Sequence, residues 1–500
     1  MRYTVNKILY SLLFTAIAPL TFADDFESTV VTNSQTKAVE SANQVQPSPP
    51  TNPNAGFIGR YNYFQNPYNW MMSGGGTLKL TESQIESQTV AQKLFEGGTY
   101  NVFGGGTYNQ WDSQRYPAGI SYGGNIFGQT GQIAGFSAGG VLSIMNPFSS
   151  LNSQINGGRS YSQYIPTFTQ ITLSEAFIEY QYQNVVNADI GYIAFDNSPW
   201  LAGNMYTNML TVPTTYQGVG VNVYTGGGWL LSALAFNGAQ FGAAPGYTGQ
   251  TNYSSWLQTR DGYSTNSAGT AAMGANYASN DGAYNLRLWG YQFDNYGTLL
   301  YGDSSVNIPV SSHQSFNISA QFGSDQQWFQ SVNAISQSTS GGAIQSYIAG
   351  AKIGWSYDEF SLNASANTMW GPSGAYGNGA FVSPYTQSLQ VDPLYSEAWS
   401  YNMVTQGIPG NMYKLGGQFA LGSWGTNLIF QPSYVYVASD NTTVDGLQEM
   451  DLVLNYPIPQ VRGLYLFGVY AQQWYNQQAT NVSNNLYQQY EIQSGIYYTW

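Results

Sequence analysis

The sequence contains no cysteine and a single histidine, His313. Disulfides and thiol chemistry are thereby excluded, and a transition-metal centre, which draws on Cys and His ligands, is not expected. Charge is also scarce: Asp, Glu, Lys and Arg make up 8% of the chain, against about 25% in ordinary soluble domains. A soluble protein so short of charge would associate readily. Acidic residues outnumber basic ones 26 to 13, so nucleic acid is not an expected partner. Beyond the N-terminus no stretch is long and apolar enough for a membrane-spanning helix. If the chain enters a membrane it must do so as a closed β-barrel, because an open sheet leaves edge N–H and C=O groups unpaired in lipid.

What the chain does have is 42 Tyr, 13 Trp, 24 Phe and 57 Gly among its 500 residues. Two interfacial girdles of Tyr and Trp would absorb much of this aromatic content in a membrane barrel. The N-terminus supplies an export route. Arg2 and Lys7 precede a mostly apolar run from Ile8 to Leu20, and Thr21-Phe22-Ala23 offers small residues for cleavage, so residues 1–23 read as a signal peptide. The run falls short of the roughly 20 residues a spanning helix needs. Residues 24–55 form a Ser/Thr/Asn/Gln/Pro tract too polar to bury a core and read as a disordered tether. From Gly56 to Trp500 short alternating segments are separated by Gly, Asn, Asp and Ser clusters, with no Pro-rich linker to mark a second domain.

The alternation has a period of two, as a strand with one face in lipid and one in water requires. From Leu486 to Trp500 the even positions are mostly apolar, with Ile492, Ile496, Tyr498 and Trp500, whereas the odd positions include Gln489, Glu491 and Gln493. An aromatic final residue preceded at two-residue spacing by apolar ones is similar to the C-terminal insertion signal of bacterial outer-membrane proteins, which assigns Tyr498 and Trp500 to sorting. Elsewhere Phe360, Leu362, Ala364 and Ala366 alternate with Ser361, Asn363, Ser365 and Asn367. The fold class is therefore all-β, a transmembrane antiparallel barrel of about 18 strands with long outer loops, wide enough for an aqueous lumen. A soluble β-solenoid is disfavoured because no fixed repeat period is present.

The same phase argument selects wall residues. Ala176, Ile178, Tyr180 and Tyr182 share one face, which turns Glu175 and Glu179 inward, and Asp189 follows across the next turn. Glu449, Asp451 and Glu491 point inward near the C-terminus, and Arg287, Lys352 and Lys414 supply the inward bases. A Lys or Arg on the lipid face at midplane costs roughly 2 to 4 kcal/mol, so inward placement is favoured at membrane depth. Enzymatic chemistry is not expected: no Ser or Asp can be tied to His313 by spacing. The triplets Gly74–Gly76, Gly104–Gly106 and Gly226–Gly228 lack the Lys-Ser/Thr of a phosphate loop and read as strand kinks and turns.

Several blocks resemble the OprD-type family of outer-membrane porins. Leu173–Leu201 (LSEAFIEYQYQNVVNADIGYIAFDNSPWL) followed by Met209–Val223 (MLTVPTTYQGVGVNV) is similar to a family hairpin with its Pro-containing loop and the "V-P-x-T-F-x-G" strand. Ser121–Gly140 resembles the early "GFSAG" hairpin, Ser400–Phe419 the late "G-V/I-P-G" turn and strand, and Gln448–Leu466 the penultimate-strand region. The resemblance implies an 18-stranded barrel with long loops folding into the lumen, and facilitated diffusion of small, often carboxylate-bearing nutrients along a ladder of lumenal Arg and Lys. Here the sequence departs from the family, because Arg60, Lys79, Lys93, Arg115, Arg159, Arg260, Arg287, Lys352, Lys414 and Arg462 are too few for a dense basic track.

The sequence-level expectation is thus a passive pore of a Gram-negative outer membrane. Its lumen is mostly Gln, Asn, Ser and Tyr with sparse charge, and no cofactor takes part. Outer-membrane lipid and small polar solutes or ions are its partners, and the chain is a monomer or trimer. The competing reading is a structural or adhesive surface barrel plugged by its own loops.

Overall fold

A computed structural model describes residues 99–499 apart from the connecting segments 112–118, 149–167, 202–214, 241–267, 328–341, 384–392, 440–444 and 475–487 and a few scattered positions. The expected signal peptide 1–23, the polar segment 24–55, the first part of the expected barrel domain and Trp500 lie outside the described residues.

The described residues form one antiparallel sheet of 18 strands. Each strand pairs with the next in sequence, and β18 (Gln488–Thr499) returns to pair with β1 (Thr99–Trp111), which closes the barrel. Closure leaves no edge, so every strand finds ladder partners on both sides. Connections differ sharply at the two ends. At one end lie tight turns, such as Gly227–Gly228 between β6 (Thr215–Gly226) and β7 (Trp229–Gln240), or Asp358–Glu359 between β12 (Gln345–Tyr357) and β13 (Phe360–Trp370). At the other end lie long connections, among them 194–214 between β5 (Val186–Ile193) and β6, and 371–409 between β13 and β14 (Gly410–Ala420). The glycine triplet at 226–228 is a turn, as its sequence suggests. All three residues have positive φ, and a Cβ at Gly228 would meet the Ala278 carbonyl oxygen at 2.0 Å.

The outer face carries the apolar half of the alternation. Ile178, Ile190, Met273, Ile353 and Leu415 are all more than half exposed. Each such side chain gains about 1.5–3 kcal/mol on leaving water, so a belt of them requires lipid. One break in phase occurs in β4 (Gln170–Tyr182). Its register against β3 (Phe136–Pro147) shifts between Val141 and Leu142, and Ser174 is the extra residue. This bulge buries both Ser174 and Glu175, so that Ile171 and Leu173 before it and Ile178 after it all face outward.

The inner face is layered: Gln, Asn, Ser and Tyr are common among its buried residues, and an apolar layer is added at the long-loop end. Along β9 (Tyr284–Phe293), running from the tight-turn end to the long-loop end, the inward residues are Asn285, Arg287, Trp289, Tyr291 and Phe293, polar first and aromatic last. Strand β10 (Gly297–Pro309) runs back with Leu299 and Tyr301 before Asp303 and Ser305. At the long-loop end these side chains join a buried apolar cluster with Ile348, Met369, Met412, Val435 and Val437. The connections complete it: Trp200 packs 4.9 Å from Phe381 and 5.6 Å from Tyr301, and Ser198 shares a 2.9 Å hydrogen bond with the Tyr291 hydroxyl. Alternation reports which residues face in but not whether water or a folded loop meets them there.

Candidate pore wall and its inward loop

The acids of β4 and β5 are placed by strand phase. Glu175 and Glu179 are 3% and 1% exposed, and Asp189 stands directly opposite Glu179 in the β4–β5 register. The Glu179 carboxylate is enclosed by neutral donors: Gln129 and Asn187 donate to it at 2.8 and 2.9 Å, and the Ser137 hydroxyl at 3.3 Å. Gln129 also donates to the Ser137 hydroxyl at 2.9 Å. Beside the bulge, Ser143 and Ser174 share a buried hydrogen bond. All of these partners come from the strands themselves, so the network belongs to the wall.

Of the three inward bases, Arg287 is not free. It stands opposite Asp303 in the β9–β10 register and binds it bidentately at 2.6 to 3.0 Å. The planar guanidinium suits this pairing, and the pair presents little net charge to the lumen. Asp303 was not selected from the sequence. Strand β10 reads GTLLYGDSSVNIP, where Ser, Gly and Asn blur the alternation and leave its phase unreadable.

The remaining candidates lie along two adjacent rows of the wall. Ser319 of β11 (Gln314–Gln326), Lys352, Ser365, Lys414, Val435 of β15 (Ile429–Ala438), Glu449 of β16 (Gln448–Pro457) and Gln473 of β17 (Leu464–Trp474) stand opposite one another in successive strands. Asp451 and Glu491 share the neighbouring row, with Ala471 between them. Onto these rows folds the stretch 393–401 of the β13–β14 connection. Lys352 holds its ammonium 5.1 Å from the centre of the Tyr395 ring, a cation–π contact. Ser365 donates to the Tyr395 carbonyl at 2.8 Å, and the Ser396 N–H and hydroxyl donate to Asn367 at 3.0 and 2.9 Å. Lys414 donates to the Glu397 carbonyl at 2.5 Å.

The far end of the stretch is held by acids. The Trp399 N–H donates to Asp451 at 3.1 Å, the Ser400 N–H to Glu449 at 2.6 Å and the Ser400 hydroxyl to Glu491 at 2.8 Å. Ser433 and Gln473 complete the pocket with bonds of 2.9 Å to Asp451 and 2.8 Å to Glu449. Backbone groups inside a barrel need partners, and wall side chains replace a strand ladder here. The backbone of β12 makes room for this arrangement at Gly350, where a Cβ would meet the Asn367 amide nitrogen at 2.1 Å.

The structure therefore brings the sequence-selected residues into two groups and a separate ion pair. Glu175, Glu179 and Asp189 form the first group, and Lys352, Lys414, Glu449, Asp451 and Glu491 line the loop-bearing arc. Asp303, Asn367 and the stretch 393–401 escaped sequence reasoning, since no local pattern announces that a loop turns inward. His313 sits on the turn between β10 and β11 and contacts Asp358 of the adjacent turn at 2.6 Å, with both side chains largely exposed. Tyr498 lies in β18 opposite Gly104 of β1.

No family model and no curated protein matches the sequence. Solved structures do match. OccAB2 of Acinetobacter baumannii aligns with a TM-score of 0.62 and 14% identity, covering 82% of this chain and 99% of that one. OpdK of Pseudomonas aeruginosa, solved with vanillate, gives 0.61 and 12% over 81% of this chain and 99% of its own. OprD of Pseudomonas aeruginosa gives 0.59 and 14% over 81% and 96%. At this level of identity the likeness speaks for architecture, and the chain has the fold of the OprD-type porins: a closed, 18-stranded antiparallel β-barrel.

Proposed function

We propose that this chain is a diffusion channel of a Gram-negative outer membrane, passing small polar solutes or ions down their gradients without a cofactor. The observation that carries this reading is a closed barrel whose outer face is apolar and whose inner face carries acids and bases. The apolar packing of Trp200, Phe381, Tyr291 and Tyr301 at the long-loop end favours the plugged-barrel alternative, so the two readings predict different currents.

The inner wall also favours a weak preference for cations. Glu175, Glu179, Asp189, Glu449, Asp451 and Glu491 stand against Lys352 and Lys414, with Arg287 neutralised by Asp303. Such a surplus concentrates cations where the lumen is narrower than about two Debye lengths of roughly 8 Å each. The test is a planar-bilayer recording under a KCl gradient. Wild type should conduct with a cation-side reversal potential, and Glu175→Gln with Glu179→Gln should move it toward zero. A silent barrel would return the plugged reading to first place, and an anion preference would overturn the argument from the wall acids.

A further inference from the structure

The stretch 395–400 is bound in two chemically different ways. Its first half is tied by neutral groups, Ser365 and Asn367, together with Lys414, all from β13 and β14. Gln321 of β11 adds to this when its amide is turned to satisfy its neighbours: it donates to the Pro393 carbonyl at 2.9 Å and accepts the Tyr395 N–H at 3.0 Å. The second half is tied by three carboxylates, Glu449, Asp451 and Glu491, of which Glu449 is 0% exposed. Beyond Ser400 the chain is anchored again, because Tyr401, Met403 and Val404 are buried in the apolar cluster.

We propose that Glu449, Asp451 and Glu491 form a proton-released latch that holds the Trp399–Ser400 turn against the barrel wall and frees it when they are protonated. The inference rests on the channel reading and assigns a regulation to that same lumen. Glu449 is the pivot. Its Oε1 accepts the Ser400 N–H and its Oε2 accepts Gln473, so both oxygens are engaged and a proton on either one makes it a poorer acceptor. Charge-assisted bonds are also stronger than neutral ones, so neutralisation weakens the hold even where an acceptor oxygen remains.

The surroundings leave these acids in control. Glu449 and Asp451 neighbour each other on the inner side of β16, and on the same arc stand Lys414 of β14 and Glu397 of the stretch itself, with Lys414 donating to the Glu397 carbonyl. Strands β15 and β17 present Ser433, Val435, Ala471 and Gln473, none of which titrates. The ties of Tyr395 and Ser396 to Ser365 and Asn367 contain no titratable group, so acid releases one end and leaves the other in place. The expected result is a local bowing of residues 397–400 into the lumen, seen as fluctuation in current and not as a wide opening.

The natural chain lacks cysteine, so a single introduced thiol reports cleanly. In Ala398→Cys, labelling of the folded full-length barrel by a charged thiol reagent at pH 7.5 should be slow. Adding Glu449→Gln, Asp451→Asn and Glu491→Gln should speed it about tenfold at the same pH, the factor matching the advantage of one charge-assisted bond over a neutral one. If the triple variant does not give heat-modifiable folded protein, Glu449→Gln alone is used and a smaller acceleration is expected. Single-channel records provide the second readout: wild type should be steady at pH 7.5 and flicker increasingly as the pH is lowered, and the triple variant should flicker throughout. Unchanged labelling in the neutralised variants overturns the latch, whatever the current. Accelerated labelling in a barrel that never conducts leaves the latch standing and removes the channel reading.

Discussion

Two sets of buried acids line this barrel, and they are spent differently. Glu179 in β4 is satisfied by Gln129, Ser137 and Asn187, donors from nearby strands of the wall. Glu449 and Asp451 in β16 accept the backbone N–H groups of a loop that has no strand partner. Both sets are acidic, inward and nearly inaccessible, so burial and charge alone do not distinguish them. The source of the donors decides whether a carboxylate braces the wall or positions a loop against it.

The largest expected effect removes both sets together. Strand β18 closes the sheet against β1 and carries Glu491, so deleting Trp500, or changing Tyr498 and Trp500 to Ser, should abolish most assembly into the outer membrane. The measurement is the amount of heat-modifiable protein in that membrane, and a normal amount would contradict the assignment of the C-terminus to sorting.

Next in size is a substitution that separates the two sets. Glu179→Gln turns an acceptor into a donor facing other donors in a site water does not reach, which should cost roughly 1–3 kcal/mol of stability. It should leave the labelling rate at residue 398 untouched. Faster labelling there, in the background used for the latch test, would erase the distinction between wall acid and loop acid.

A smaller effect is expected at the ion pair. Asp303→Asn frees Arg287, but the Arg287 side chain is 41% exposed, so the stability change should stay below about 1 kcal/mol. The clearer signal is electrical, because an unpaired guanidinium facing the lumen should reduce any cation preference. A reversal potential identical to wild type would show that the pair lies off the permeation path. The smallest effect belongs to the polar tract near the N-terminus. Removing Ser28–Asn52 should leave folded yield and conductance nearly unchanged, and loss of folded barrel would make that tract structural.

Much of the barrel was legible in the sequence because a strand between lipid and lumen must alternate. Ile353 and Leu362 outward, and Lys352 and Ser365 inward, follow from that single constraint. It failed locally where alternation itself failed. The bulge at Ser174 shifts phase without a sequence mark, and the Gly/Ser/Asn-rich β10 hides Asp303.

By itself, then, the sequence determined a barrel near 18 strands and the facing of Glu175, Glu179, Glu449, Asp451 and Glu491, because a two-residue period under a lipid boundary fixes the phase wherever the alternation is unbroken. Only the tertiary structure decided what those inward groups meet. Tyr395 reaches the Ala320 carbonyl at 3.1 Å and Ser400 reaches Glu491 at 2.8 Å, contacts between residues separated by 75 and 91 positions. A loop is drawn inward by the sum of such distant partners, from its apolar side chains in the mouth to its backbone groups on the wall, and no local pattern in the chain encodes that sum.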